Sequence, residues 1–595
     1  MQDSAATLVP STSLKPTPTS SGKPKRLGDF ATLCEALDYA ALGDAGFNFY
    51  AARGPLSATL SYRALRDQAQ SLALRLLGTD LKRGDRVALL AATSPEFLTL
   101  FFSCQYAGLI PVPMPLPTAF GRREAYIDQI RGQLTSSQAR VALGPKEFLP
   151  LVAEAAAHLS LAFIGAYADI AGMPERGALP RIGAQDLSYI QYSSGSTRFP
   201  KGVMVAHANL MANCFGMNTF GLKVTAEDRG MSWLPFFHDM GLVGFVLCGS
   251  TSQTSVDFLA TEDFARRPLT WLKVFSDNGA TITYAPSFGY ELCARRVSTM
   301  AEGSLQLDLS KWRIAGIGGE MIKPKVMQAF ASAFKPYGFS DKAFCASYGL
   351  AETVLAVSFS DNDAGLTLDH VDKNALQDHR ADPVAEDAPD ARTFVACGRV
   401  LPGHAVEIRD DDGAVLSGRA VGRIFFQGPS VMLGYLNEDE ATAAALIDGW
   451  LDTGDLGYWL ADELVIVGRA KDMMIINGRN VWPQDIEWAV EHTDGLRSGD
   501  SAAVLLGSGD TEQPAVLVQC RASKAADRQR LAADVKAKVQ EAVGIACEII
   551  LVAPRSLPKT SSGKLARARA KAMYERGEIT ALPLDSDGAP IADEG

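Results

Sequence analysis

The run Tyr192–Lys201 reads Tyr-Ser-Ser-Gly-Ser-Thr-Arg-Phe-Pro-Lys, follows an apolar stretch, and constrains this chain more than any other segment. Small residues let backbone N–H groups close on phosphate oxygens, the hydroxyls of Ser193, Ser194, Ser196 and Thr197 around Gly195 add donors, and Lys201 brings charge. Read alone, the run suits either a polyphosphate or an ordinary Ser/Gly-rich turn. It is not the GxxxxGK[ST] loop of P-loop nucleoside triphosphatases, because no Gly-Lys-Ser/Thr follows Gly195 at that spacing. Ordinary ATPases and kinases are thereby set aside.

The chain around this run reads as α/β. From Phe30 onward, helix-like segments such as Tyr62–Leu77 alternate with short apolar runs such as Arg86–Ala91, which the pattern assigns to buried strands. Such alternation predicts a parallel sheet with helices packed on it. At 595 residues the chain is too long for one core, so several packed units are expected. Residues 1–27, rich in Ser, Thr and Pro, read as a flexible tail. A large domain is expected over 28–470, interrupted at 361–391 by an Asp- and Ala-rich stretch that reads as an exposed insertion. At about 397–468 it turns β-rich, with strand-like runs at Val406–Arg409 and Gly422–Gln427 separated by Gly-containing turns. A small α/β domain follows over 471–580, with helices at Gln484–Glu491 and Asp527–Glu541 and strands at Ala502–Leu506 and Ala515–Cys520; residues 581–595 read as a second tail.

Composition narrows the class further. A net charge of -11 argues against nucleic acid as the main partner, since binding a phosphate backbone needs clustered Lys and Arg. The longest apolar stretch, around Phe97–Val112, contains Gln105 and Gly108 and is too short to span a membrane, so no transmembrane segment is expected and any membrane contact would be transient and superficial. Met1–Lys25 lacks the apolar core of a signal peptide, which points to the cytoplasm. The nine cysteines are dispersed, without CxxC pairs or zinc spacing, and read as reduced and mostly buried.

Further motifs follow the opening run. They are Leu234-Pro235-Phe236-Phe237-His238-Asp239-Met240-Gly241, Tyr348-Gly349-Leu350-Ala351-Glu352, Thr453-Gly454-Asp455, Gly468-Arg469-Ala470-Lys471-Asp472 and Pro558-Lys559-Thr560-Ser561-Ser562-Gly563-Lys564. In form and order they resemble the adenylate-forming superfamily, whose phosphate loop [ST]SG[ST]TxxPKG is matched by Ser193–Gly202. The resemblance implies a large N-terminal domain of Rossmann-like α/β subdomains with a small β-barrel, followed by a small mobile C-terminal α/β domain. It also implies ATP and Mg²⁺ as cofactors, with no tightly bound organic group.

The chemistry of adenylation fits these residue types. Attack of a carboxylate on an α-phosphate brings two anions together, so positive charge and hydrogen-bond donors must sit where that charge concentrates. Lys564 and His238 suit that task; their bland alternatives are a solvated Lys and a buried structural His. Asp455 is the right type to accept from ribose hydroxyls. By resemblance, Glu352 with Thr197 holds Mg²⁺, which prefers hard oxygen ligands. Resemblance likewise assigns Arg469 to the ribose, Tyr348 beside Gly349 to the adenine ring, and the Gly318-Gly319-Glu320 turn to the adenine edge, although two glycines also make a tight turn. Lys471 falls where related enzymes pivot the small domain, which would let Lys564 enter and leave the site.

Within the superfamily the chain looks like the fatty acyl-AMP ligases. That likeness rests on His238-Asp239-Met240-Gly241-Leu242, on Tyr290-Glu291-Leu292-Cys293 near Arg295 and Arg296, on Gly478–Glu487, and on the 361–391 insertion. It implies a fatty acid as substrate and the thiol of an acyl carrier protein as acceptor, with coenzyme A, as in acyl-CoA synthetases, the main alternative. In the family the insertion restrains the C-terminal domain. An inactive nucleotide-binding scaffold would have lost Lys564, Glu352 or Asp455, and all three are present. The turn at Gly318-Gly319-Glu320-Met321-Ile322 departs from the family's usual Asn-Gly-Ala-Glu-Pro. The apolar run Leu242–Leu247, with Phe288 and Tyr290, is expected to line an acyl tunnel or to be ordinary core.

Overall fold

The computed structural model describes residues 14–117, 123–193, 200–301, 303–476, 479–491, 493–509, 512–560 and 564–585. A nine-stranded sheet forms its centre, in the order Arg399–Val400, Ala356–Phe359, Phe344–Gly349, Ile314–Ile317, Ile282–Ala285, Gly230–Ser232, Val256–Leu259, Gly46–Tyr50 and Leu56–Ser61. Its interior pairs are parallel, and its edges are closed by antiparallel strands. A second, all-parallel sheet of four strands carries Arg86–Leu90 at its centre, flanked by Ile110–Met114 and Val141–Leu143. Strands buried on both faces read as continuous apolar runs, which is how Arg86–Ala91 stood out in the sequence.

Local sequence sets the helices. Tyr62–Leu77 starts where the Ser61 hydroxyl accepts from Ala64 N, and it buries Leu65, Ala69, Leu72, Ala73 and Leu76, one stripe at helical spacing. The apolar stretch around Phe97–Val112 is a core helix, Pro95–Ala107, capped by Ser94 and ended by left-handed Gly108 before the strand begins at Ile110. Among the described residues, no helix is long and apolar enough to cross a membrane.

After Cys397 the β-rich expectation corresponds to a six-stranded sheet that includes Ala405–Arg409, Gly422–Gln427, Trp450–Leu460 and Glu463–Arg469. Beyond it come the hairpin strands Met474–Ile476 and Arg479–Val481, then a three-stranded sheet of Ser501–Leu506, Gln513–Gln519 and Glu548–Val552 with helices Pro483–Val490, Ala525–Val543 and Arg567–Glu575. All nine cysteines are buried and free.

Three expectations need correction. Residues 14–27 are not a free tail: Thr17 is buried, its N–H donating to Asn48 Oδ1 at 2.8 Å, and Lys25 Nζ donates to Ser252 O at 2.9 Å. The segment is held by polar contacts, which a search for apolar residues overlooks. Residues 581–585 are likewise docked, with Leu582 N donating to Leu551 O at 2.7 Å. Nor is the 361–391 stretch simply an exposed loop. It supplies the strand Leu368–Asp372, paired with Ala391–Val395, and buries Val371, Leu376 and Ala381 in a cluster with Phe394, Tyr458 and Trp482. Its buried apolar side chains are few, and Ala364, Pro383, Ala385 and Pro389 stay exposed. It also reaches the C-terminal region directly, with Asn480 Nδ2 donating to Gln377 O at 3.1 Å; just beyond it, Arg392 Nε lies 3.0 Å from Asp485 Oδ1.

Candidate active site

One open cavity of about 1070 Å³ gathers most of the sequence-selected residues. Ser193, His238, Gly318, Gly319, Tyr348, Gly349, Glu352, Arg469 and Lys564 line it, drawn from strand ends and turns far apart in sequence. The ends of the phosphate run are pinned together by Ser193 N donating to Lys201 O at 2.9 Å. Ser194, Gly195, Ser196 and Thr197 lie outside the described residues, as do Ser561–Gly563. The strand leading into the run is tied to the next motif by Gln191 Nε2, which donates to Phe237 O at 2.7 Å, immediately before His238.

Strand register positions the next pair of polar groups. Asp455 and Arg469 face each other across the antiparallel pair Trp450–Leu460 and Glu463–Arg469, with Arg469 Nε 3.4 Å from Asp455 Oδ1. The Tyr348 hydroxyl donates to Asp455 Oδ2 at 2.7 Å. Burial pushes the Asp455 carboxyl above the usual range, while Arg469 and Tyr348 draw it back. Glu352 is also raised by burial, and one of its oxygens accepts from the Tyr435 hydroxyl at 2.9 Å.

At the opposite wall, Lys564 enters from the C-terminal region. Thr560 N donates to Lys564 O at 2.7 Å, and Lys564 N donates to Thr560 Oγ1 at 3.2 Å. A Cβ on Gly319, whose φ is +80, would lie 3.7 Å from Lys564 Nζ, so the glycine turn runs directly beside the ammonium. Burial pulls Lys564 below the ordinary lysine range, and Glu320 and Asp239 hold it up against that pull. Asp239 sits 2.7 Å from His238 Nδ1; burial opposes its charged form, but His238, Lys564 and the Met240 N–H outweigh burial and keep it below the usual carboxylate value. Glu320 is raised by burial despite Lys564 and Lys323 nearby. Lys564 thus shares the cavity region with acidic groups, Glu320, Asp239 and Asp455, that favour its charged form against burial. Lys471 is exposed in the turn Ala470–Asp472 that links the β-rich sheet to the C-terminal hairpin.

The apolar end of the cavity differs from its expectation. Met217, Leu222, Met240, Gly244, Phe245, Tyr284, Leu355, Ala356 and Phe359 line it. Leu242, Phe288 and Tyr290 do not. Leu242 is fully buried in the core, Tyr290 packs against Trp271 and Phe330 with its hydroxyl donating to Gly316 O at 2.9 Å, and Phe288 packs edge-on against Trp233. The lining comes in part from two π-helical turns, Met217–Gly221 and Leu242–Leu247, a form that recurs at functional sites. Gly244 and Phe245 fall in the apolar run Leu242–Leu247; Met217, Leu222, Tyr284 and Phe359 carry no sequence signal that separates them from core.

Fold and site together define an enzyme of the adenylate-forming class: polar groups from separate motifs, an apolar lining and a lysine from the C-terminal region share one cavity. The model of the AMP-binding enzyme family matches residues 47–436, and the chain belongs to that family. It is similar to a Caulobacter vibrioides protein provisionally described as an acyl-CoA synthetase, 49% identical over 94% of this chain and 98% of that one. The medium-chain-fatty-acid–[acyl-carrier-protein] ligase JamA of Moorena producens is 32% identical over 88% of this chain and 90% of its own. A solved chain from work on fatty acyl-adenylate ligases of E. coli and L. pneumophila superposes with a TM-score of 0.89 at 45% identity, covering 93% of this chain and 100% of that one. Within the family the chain therefore stands with the fatty acyl-AMP ligases.

Proposed function

We propose that this enzyme joins a fatty acid to ATP, giving fatty acyl-AMP and pyrophosphate, and then passes the acyl group to the phosphopantetheine thiol of an acyl carrier protein. The observation that carries the first step is the position of Lys564, beside Gly319 in one cavity lined by both polar and apolar side chains. There its ammonium can bridge the fatty carboxylate and the α-phosphate, with His238 on the same wall. Tyr348 flanks adenine, and Asp455 and Arg469 hold the ribose. Ser193 and Lys201, with the hydroxyls of the intervening run, cradle the phosphates. Mg²⁺ fits Glu352: a hard, buried, oriented carboxylate, with the nucleotide's own oxygens completing the shell. When bound, it neutralises the triphosphate and favours departure of pyrophosphate. The reading requires a compartment with ATP and carrier thiols, the cytoplasm.

Carrier protein as acceptor is supported by the 361–391 insertion, whose Gln377–Asn480 contact and shared cluster around Trp482, with the Arg392–Asp485 pair just beyond it, brace the C-terminal region, and by JamA, whose own acceptor is a carrier protein. The resemblance to the Caulobacter protein favours coenzyme A instead. Incubation with ATP, a fatty acid series, coenzyme A and holo carrier protein together, followed by mass spectrometry, separates the two. Acylated carrier protein is the expected product; acyl-coenzyme A alone would overturn the acceptor while leaving adenylation standing.

A further inference from the structure

Behind the polar end of the cavity, one side chain contacts two charged groups that belong to different motifs. Tyr435 donates its hydroxyl proton to Glu352 Oε1 at 2.9 Å, and its ring lies under the Lys201 ammonium, 4.7 Å from Nζ to the ring centroid. The segment around it is anchored to the same two places by its backbone. Gly434–Tyr435 pairs antiparallel with Gly202–Ala206, the strand leaving the phosphate run, through Leu433 N donating to Met204 O at 3.0 Å and Leu436 N to Gly202 O at 2.8 Å. Met432 N donates to Glu352 O at 2.9 Å. Tyr435 N is itself held by Thr442 Oγ1 at 2.9 Å. The ring therefore has little freedom, and neither do the two groups resting on it.

We infer that Tyr435 is a positioning residue for magnesium-nucleotide: its hydroxyl fixes the Glu352 carboxylate for the cation, and its ring holds Lys201 for the phosphates. This rests on the adenylation reading above. Physically, the two charges have opposite signs and would otherwise be free to reorient or to pair with each other when no nucleotide is present. A phenol between them serves both, donating to the carboxylate and offering a π face to the ammonium.

The two contacts can be separated by substitution. Tyr435→Phe removes only the hydroxyl and keeps the packing; Tyr435→Leu removes the ring as well. Calorimetric titration of ATP into the full chain, with and without Mg²⁺, reads binding independently of turnover. For Tyr435→Phe the Mg²⁺ concentration needed to support ATP binding is expected to rise about tenfold, as for loss of a hydrogen bond to a charged group, while metal-free ATP binds as in the wild type. Tyr435→Leu is expected to weaken metal-free ATP as well, by about threefold, with the lost cation–π contact. An unchanged Mg²⁺ dependence in Tyr435→Phe overturns the inference on its own. So does equal weakening of metal-free ATP in both variants, which marks a loosened fold. A wild-type chain that binds no Mg-ATP overturns the adenylation reading first and this inference with it.

Discussion

The two ends of one cavity are built on opposite principles. Among the polar groups in and beside the cavity, His238, Glu352, Asp455 and Arg469 are each held by a named partner, and Lys564 stands beside Gly319. At the acyl end, Met217, Leu222, Phe245, Leu355 and Phe359 contribute only shape. Charge must be placed to within a fraction of an ångström to act on a developing transition state, whereas methylenes need only a dry space of the right length. Changes at the nucleotide end should therefore alter rate or nucleotide affinity with every acid. Changes at the acyl end should alter which acid is used and leave ATP alone.

The largest effect is expected from Lys564→Ala. Pyrophosphate release with fatty acid should fall by about 10²–10³-fold, as for loss of one pre-organised transition-state donor, with little change in melting temperature. Full adenylation by this variant would break the comparison at its polar end. Asp455→Asn comes next: ATP affinity is expected to drop about tenfold, because the pair to Arg469 loses its charge, while the fatty acid profile is unchanged. A shift in preferred chain length by Asp455→Asn would show that the two ends are not separable.

The acyl end gives a smaller and directional prediction. The rings of Phe359 and Tyr284 stand edge-on, 6.3 Å apart, among the apolar lining. Phe359→Ala is expected to move the preferred acid to longer chains by about two methylenes, each worth ~0.8 kcal/mol when buried. Gly221 should work the other way, since a Cβ there would lie 2.7 Å from Phe359 Cδ2 and push the ring into the cavity. Gly221→Ala is therefore expected to favour shorter chains. A chain-length series of kcat/KM checks both, and shifts of the same sign would refute the assignment.

The smallest expected effect is on pH dependence. Lys564 must be a cation to bridge two anions. Burial lowers its pKa and Glu320 raises it, so the alkaline limb of kcat/KM should fall below the ordinary lysine range. Glu320→Gln removes the supporting charge and should move that limb to still lower pH. Movement to higher pH would mean that another group sets the limb.

How far the sequence could be read follows the same division. The nucleotide end was legible because its chemistry demands particular side chains at particular spacings: Asp455 and Arg469 sit in separate motifs, and antiparallel register across one hairpin brings them together. The helix Tyr62–Leu77 and the strand Gly422–Gln427 were legible because periodicity alone fixes them. The acyl lining was not. Leu242 and Tyr290 are as apolar as Leu222 and Phe245, and only the π-helical turns and the packing of Trp271 and Phe330 decide which of them meet the cavity. Tyr435 was missed for another reason: it acts from behind, through Glu352, and neither the Gly434-Tyr435 pair nor its spacing announces a partner 83 residues away in sequence. The docked segment 14–27 was hidden because hydrogen bonds, not apolar burial, hold it.

The central claim is that Lys564 joins the two ends by making an acyl-phosphate anhydride. The most direct measurement is mass spectrometry of the wild-type enzyme with Mg-ATP and saturated fatty acids of graded length, with no thiol acceptor present. The account requires enzyme-associated fatty acyl-AMP matched by an equal amount of pyrophosphate. ADP with inorganic phosphate, or no acyl-AMP at any chain length, would contradict it.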